Sequence, residues 1–318
     1  MIHMLRQLYN MQVEHLFMHD EEYYFSFQQK WYVLKKTEVL EKDIAYCTVI
    51  SETLRSYGEP LTNIVPSKEG RKIVDYQDNR WILFELPLLK RTFDADALLR
   101  FHQVGMFYYE QQENEELIGI WHQLFEKRYE QCKKWEQEVK DDSLRPLFLY
   151  TYGVLDQSIQ LISEVERIDR YYLLTEGTVC FDVLPVSLVE IEGGFSYLNH
   201  QLLIDHPIRD VVEYTRFHIE KGNIEHSLAF VRYYLQKADL FEGAYRLFIG
   251  RLLYPKTILD LVEQWTNERN KEKKAMYLYH IKQYKRKLPL IEKAIQKVYQ
   301  SVREDFSLMI PSISWLES

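Results

Sequence analysis

Apolar and polar residues alternate in short runs near the start and the middle of the chain and recur every three or four residues elsewhere, so strands and helices are expected in separate blocks. Val13 to Met18, Tyr23 to Phe27 and Trp31 to Leu34 are apolar and aromatic runs separated by His19-Asp20-Glu21 and Gln28-Gln29-Lys30. They predict a small antiparallel sheet. Glu38 to Tyr57 reads as a helix. Asn63-Ile-Val-Pro66 and Gly70 lead to a strand, Trp81 to Leu86, which Pro87 breaks. Asp94 or Asp96 then caps a helix containing Leu98-Leu-Arg-Phe-His102.

Helical periodicity dominates the rest of the chain. From Glu116 to Lys140, the residues Leu117, Trp121, Leu124, Phe125, Tyr129, Cys132, Trp135 and Val139 mark one apolar face, which predicts an amphipathic helix with its aromatics in the core. A second helix is expected from Pro146 to Arg167, the proline standing where its missing donor costs nothing. Beyond Asp210 helices are predicted over Val211 to Lys221, His226 to Lys237, Ala244 to Leu253, Thr257 to Glu268 and Lys273 to Arg303, the last interrupted at Pro289. The pattern is that of an α+β protein, with a sheet-bearing region at 1–87 and a helical one at 88–318, divided near Leu88.

One segment breaks the helical series. In Thr178 to Asp210 the runs Val179 to Val183, Ser187 to Ile191 and Phe195 to Leu198 read as short strands, with Gly193-Gly194 as a turn between two of them. Asp182 lies inside the first run, where a carboxylate must be paired, solvated in a cleft or chemically employed.

Composition narrows the picture further. A chain of 318 residues, 46% apolar and 28% charged, can bury a sizeable core. Its 40 basic and 48 acidic residues, net -8, argue against general affinity for nucleic acid or anionic membranes. No stretch approaches a spanning helix, and the amino end lacks the continuous apolar core of a signal peptide. Cys47, Cys132 and Cys180 are odd in number and widely spaced, which fits a cytosolic origin better than a disulfide framework or a zinc site. His218 and His226 are too far apart on one helix to form a metal pair, so no metal is assigned there. The 24 tyrosines are read as packing, with oxidative cross-linking as the alternative. Lys271, Lys273, Lys274, Lys282, Lys285, Arg286 and Lys287 form a basic stretch, either a solvated helix face or a docking surface for an acidic partner.

The string Cys180-Phe181-Asp182, Leu184-Pro185, Ser187, Gly193-Gly194, Leu198-Asn199 resembles the catalytic segment of the aminoglycoside phosphotransferase and choline kinase type of kinase-like fold. That family has H-G-D-x-x-x-x-N followed by a hairpin ending in I-D. The first Asp meets the substrate hydroxyl, and the Asn and second Asp hold magnesium. The resemblance therefore implies Asp182 at the base position and Ser187 and Asn199 at the metal positions, where only the first Asp is kept. Tyr32-Val-Leu-Lys35 is similar to the family strand whose lysine pairs with nucleotide phosphates, although a strand-ending lysine is otherwise simply solvated. The turn ahead of it should be glycine-rich, yet no glycine precedes Gly58, and the family's glutamate partner for the lysine falls near Cys47. Leu98 to His102 is similar to a packing motif. Asp205-His-Pro-Ile-Arg209-Asp210 and Arg251-Leu-Leu-Tyr-Pro255 resemble the spore-coat kinase-like branch found in endospore-forming bacilli, with Arg209 and Asp210 expected in ion pairs that fasten the next helix.

The resemblance implies a two-lobed, protein-kinase-like fold, with a degenerate catalytic hairpin at 178–210. It further implies a pseudokinase with a structural or interaction role in the spore coat, made in the mother-cell cytoplasm and deposited with coat proteins as partners. Such a protein needs no cofactor. The alternative is an active phosphotransferase using ATP and magnesium on a small hydroxylated molecule or a coat protein. A third reading is an unrelated helical scaffold in which Asp182 is a buried, satisfied carboxylate.

Overall fold

A computed structural model describes residues 1–19, 21–110, 118–139, 142–306 and 310–317. After a short helix α1 (Ile2–Met4), continued by a wider helical turn to Tyr9, come β1 (Phe17–His19), β2 (Glu22–Phe27), β3 (Lys30–Lys36), α2 (Glu41–Ser56), β4 (Asn63–Ile64), β5 (Ile73–Tyr76), β6 (Asn79–Leu86) and α3 (Ala95–Tyr109). Helices α4 (Trp121–Glu138), α5 (Arg145–Ile168) and α6 (Arg170–Thr175) lead to β7 (Thr178–Phe181), α7 (Leu184–Ser187), β8 (Leu188–Ile191), β9 (Gly194–Tyr197) and β10 (Leu202–Asp205). The remainder is α8 (Ile208–Glu220), α9 (Ile224–Lys237), α10 (Glu242–Leu253), α11 (Lys256–Asn267), α12 (Lys271–Asp305) and α13 (Ser314–Glu317).

These elements form two compact units that interleave along the chain, one comprising 1–114 and 178–203, the other 115–177 and 204–318. The division near Leu88 puts the six-stranded sheet within 1–87 and most of the helices within 88–318. In space, α3 and the β7–β9 segment belong to the same unit as the sheet.

In the first unit the sheet order is β1-β2-β3-β6-β4, with β5 also on β6, and every pairing is antiparallel. Period-two alternation gives the sheet two apolar faces. Phe25, Tyr32, Leu34, Trp81 and Leu83 bury one face against Met4, Leu5 and Val13. Val33, Ile82 and Phe84 bury the other against Ile44 of α2, Val189 of β8 and Leu198. The apolar run at Val13 to Met18 becomes strand only from Phe17, and Val13 serves as cover for the sheet instead. Helix α3 is capped by Asp94, whose side chain accepts from the Ala97 N–H at 2.8 Å, and it lies on β7 with Phe101 stacked on Phe181 at 4.6 Å.

The predicted hairpin is β8–β9, but its turn residues are Glu192 and Gly193, both at positive φ (51° and 69°). Gly194 is already the first residue of β9. Its need for glycine is closeness: a Cβ there would lie 2.9 Å from the Leu89 carbonyl oxygen, in the antiparallel bridge between Leu89 and Phe195.

The second unit is helical. The faces predicted by periodicity are buried: Trp121, Phe125, Cys132 and Trp135 on α4, though Leu124 is exposed, and Leu117 and Lys140 lie outside the described residues. Ser158 of α5 donates to the Gly250 carbonyl of α10 at 2.6 Å, and Arg128 of α4 pairs with Asp260 and Glu263 of α11, each at 2.8 Å. Contrary to the expectation from sequence, Pro289 does not interrupt α12, which runs unbroken from Lys271 to Asp305. An internal proline costs about 3 kcal/mol. Here burial of Ile281 before it and of Ile291, Ala294 and Val298 after it holds the two halves in one line.

Candidate functional site

The candidate base, metal and nucleotide residues Asp182, Ser187, Asn199 and Lys35 all lie in the first unit, and the local fold explains their surroundings. Asp182 follows the last residue of β7, where its backbone N–H donates to the Gln201 carbonyl at 3.0 Å and its side chain is half-buried. It stands just beyond the strand rather than inside it, which relieves the cost of a carboxylate in an apolar run. One turn of α7 then carries the chain to Ser187, whose carbonyl accepts the Leu198 N–H at 2.7 Å. Ser187 is fully buried, and its hydroxyl has no hydrogen-bond partner among the described residues.

Asn199 sits just after β9, which bridges in parallel to Leu61. This bridge brings Thr62 to it: the threonine hydroxyl donates to Asn199 Oδ1 at 2.9 Å and accepts the Asn199 backbone N–H at 3.2 Å. Asn199 is 1% exposed. Of the base and metal positions, only Asp182 offers an anionic oxygen.

Lys35 lies on the same face of β3 as Val33, the face covered by α2 and the β8–β9 hairpin. Its ammonium pairs with Glu22 Oε1 at 2.5 Å, and both side chains are largely buried. Tyr24 also donates to Glu22, at 2.5 Å. The next lysine, Lys36, lies 3.8 Å from Glu21. Thus Glu22, the first residue of β2, and Glu21 just before it bring carboxylates to both lysines. Cys47, at the position implied for a helix-borne glutamate, faces the backbone of Leu202, with its sulfur 3.3 Å from the Leu202 nitrogen.

Sequence reasoning alone misses Glu22 and Thr62, while His200 stands beside Asn199 where the resemblance implies an anionic ligand. Glu22 has a recoverable signal: the two-residue turn at Gln28-Gln29 pairs Tyr23 with Leu34 and therefore sets Glu22 opposite Lys35. Glutamines at φ of 50° and 62° do not announce such a turn. His200 is 2% exposed, its Nδ1 lacks a partner among the described residues, and its ring leans on Phe84 at 5.3 Å. Burial, helped by the nearby Lys35 charge, pushes its pKa down to about 3.

The Asp205 to Asp210 element belongs to the structural framework of the second unit. Asp205 is fully buried and accepts from the Trp121 indole at 3.0 Å, from Arg209 at 3.0 Å and from the His206 backbone at 2.8 Å. The expected ion pair of Arg209 is therefore present, at the start of α8. His218 and His226, distant along the sequence, are brought together by the α8–α9 hairpin, with ring centroids 4.4 Å apart.

Residues 2–298 match the family described as "Spore coat putative kinase YutH". The chain is 24% identical over 292 residues to the endospore coat-associated protein YutH of Bacillus subtilis (strain 168), covering 85% of this chain and 84% of that one. Among solved structures it is similar to an aminoglycoside phosphotransferase from Alicyclobacillus acidocaldarius, with a TM-score of 0.64 at 14% identity over 92% of this chain and 93% of the other. It is also similar to a spectinomycin phosphotransferase in complex with ADP and spectinomycin, with a TM-score of 0.55 at 11% identity over 89% and 92%. The fold is therefore of the aminoglycoside phosphotransferase, kinase-like type. Among the described residues no helix is long and apolar enough to cross a membrane.

Proposed function

The chain belongs to the YutH family of spore coat kinase-like proteins, and we propose that it serves the endospore coat as a kinase-shaped structural or interaction protein that does not transfer phosphate. The observation that carries this reading is the state of the two metal positions: Ser187 presents only a buried neutral hydroxyl, and the Asn199 amide oxygen already accepts a hydrogen bond from Thr62. Magnesium seeks hard, preferably anionic oxygens in octahedral geometry, so this donor set fits it poorly. Phosphoryl transfer relies on charge stabilisation by the metal, and a site that holds magnesium poorly loses most of what the fold contributes. The Glu22 carboxylate on Lys35 adds to this, because a phosphate would have to displace it. A coat role follows the name of the Bacillus subtilis relative, with synthesis in the mother-cell cytoplasm before deposition and coat proteins as partners.

A second reading, an active ATP-dependent phosphotransferase for a small hydroxylated molecule or coat protein, draws on Asp182 at the end of β7 and Lys35 on β3. A thermal melt with ATP, with and without magnesium, separates the two, because a ligand of the folded state raises apparent stability. No magnesium-dependent rise and no phosphate release are expected. A magnesium-dependent rise abolished by Lys35→Ala or Asp182→Ala, with turnover to match, overturns the proposal.

A further inference from the structure

The two halves of α12 have different surroundings. After Pro289 the residues Ile291, Ala294, Val298, Tyr299 and Val302 are buried, and charges are matched, Arg303 by Glu317 and Asp305 by Arg232. Between Lys271 and Leu290 only Ile281 is buried. On the Ile281 side, Lys274 lies over the Trp265 ring of α11 at 5.0 Å, and Lys285 donates to the Ser143 carbonyl. The other side faces solvent.

That solvent side carries a pattern. Met276, Tyr279, Gln283, Arg286 and Leu290 follow one another at steps of three, four, three and four, the spacing of a seam between paired helices. Met276 is 46%, Tyr279 60% and Leu290 70% exposed, so no helix covers the seam among the described residues. At about 1.5 Å per residue it is about 21 Å long. Lys282 and Lys287 stand on its two borders, the positions that set partner choice when helices pair.

The charge of this half is one-sided. Residues 271–287 hold seven cations and one anion, a net of +6 in a chain of net -8, which leaves -14 on the rest. Carboxylates three or four residues from lysines steady an exposed helix, yet none of these cations has one at that spacing within α12. Instead Lys282 and Arg286 are like charges four apart, and Lys271, Lys273 and Lys274 stand at the helix start, where the backbone dipole disfavours cations. The side chains of Lys271, Lys273, Arg286 and Lys287 have no ion pair or hydrogen bond among the described residues. An anionic partner relieves these repulsions. Gln283 and Arg286 interrupt the seam at its middle, where lipid would leave them unsatisfied and a helix bearing carboxylates can pair with them.

We propose that the first half of α12 docks an acidic amphipathic helix of another protein, with apolar residues seated on Met276, Tyr279 and Leu290 and carboxylates against Arg286 and the bordering lysines. This rests on the interaction role proposed above and not on the absence of phosphate transfer, which the melt with ATP tests separately.

The test is fluorescence anisotropy of a labelled helical peptide of about three heptads, with leucines on the seam positions and glutamates elsewhere, titrated with the full chain. A control peptide has the same composition with its leucines spread around the helix. Saturable binding at least tenfold tighter than the control is expected. Leu290→Ser should weaken it about tenfold through lost apolar burial, and the double change Arg286→Gln, Lys287→Gln about fivefold through two exposed ion pairs. All three side chains are exposed, so the variants should melt as the wild type does. Absence of saturable binding overturns the proposal, as does equal binding of the two peptides, which is the behaviour of a solvated basic face. So does binding that neither variant weakens. Cosedimentation with phosphatidylserine vesicles in place of peptide binding assigns the face to a membrane, and self-association abolished by the double variant assigns it to a second copy; either result overturns the proposal.

Discussion

Two buried polar clusters, one in each unit, treat charge in opposite ways. Around Asp205 a fully buried carboxylate is retained and matched by an indole, a guanidinium and a backbone N–H. Around Asn199, at a position implied to be anionic, the side chain is a neutral amide held by a threonine, next to a histidine that burial keeps uncharged. A buried charge persists only with partners that replace water. Asp205 has those partners within the protein. A carboxylate at residue 199 would depend on a metal ion, and the amide found there is stable without one. The first unit's cluster is thus neutral and complete within the protein, while the second keeps its charge because the protein itself supplies the partners.

The largest effect should come from breaking the charged cluster. Asp205→Ala leaves Arg209 and the Trp121 indole without their acceptor in a buried setting, and removing one partner of a buried ion pair costs about 3–5 kcal/mol. Urea unfolding should show the lower midpoint. A loss below about 1 kcal/mol, the value of an exposed pair, would erase the contrast between the clusters.

The neutral cluster is probed by acid. His200 has its folded pKa pushed down to about 3 by burial and then by Lys35. The unfolded chain takes up the proton near 6.5. Above 6.5 both states are neutral there and the contribution to stability is complete. As pH falls from 6.5 towards 3 only the unfolded state binds the proton, so stability is lost at up to about 1.4 kcal/mol per pH unit. His218, pushed down to about 4 by burial, His226 and Lys221, adds a loss of the same sign between 6.5 and 4. Stability measured by urea unfolding at pH 6.5 and 4.5 should therefore fall by about 2 kcal/mol less in His200→Gln than in the wild type. Equal losses in both would mean that His200 takes up its proton in the folded state.

Much of this architecture is legible in the chain, and the exceptions share a cause. The helices from α8 to α12 follow from apolar spacing because each needs only its own face to be buried. The cap at Asp94 is equally local. What sequence does not disclose is whatever depends on a distant partner. Thr62 meets Asn199 across 137 positions, and Val13 becomes sheet cover only when Met4 and Leu5 fold back beside it. Pro289 is a local signal that tertiary packing overrides. At the candidate site, Asp182, Ser187 and Asn199 can be placed by resemblance, whereas the occupied amide and the orphaned hydroxyl are tertiary facts.

The smallest effect concerns Lys35, whose charge reaches the neutral cluster through His200 and is itself held in an ion pair. Glu22→Gln removes the anion but retains a polar side chain beside both Tyr24 and the ammonium. The pair is largely rather than fully buried, with 14% and 16% of the two side chains exposed, so a stability loss of about 1 kcal/mol is expected, near the upper end for partly solvated pairs. The same change frees the lysine. If Glu22 is what keeps phosphate away, Glu22→Gln should bind ATP in the absence of magnesium more tightly than the wild type in equilibrium dialysis, by about tenfold, the worth of one added charge-assisted hydrogen bond. If affinity is instead unchanged and no nucleotide is retained, the ion pair is a fastening between β2 and β3. The proposed absence of phosphate transfer then rests on the neutral metal positions alone.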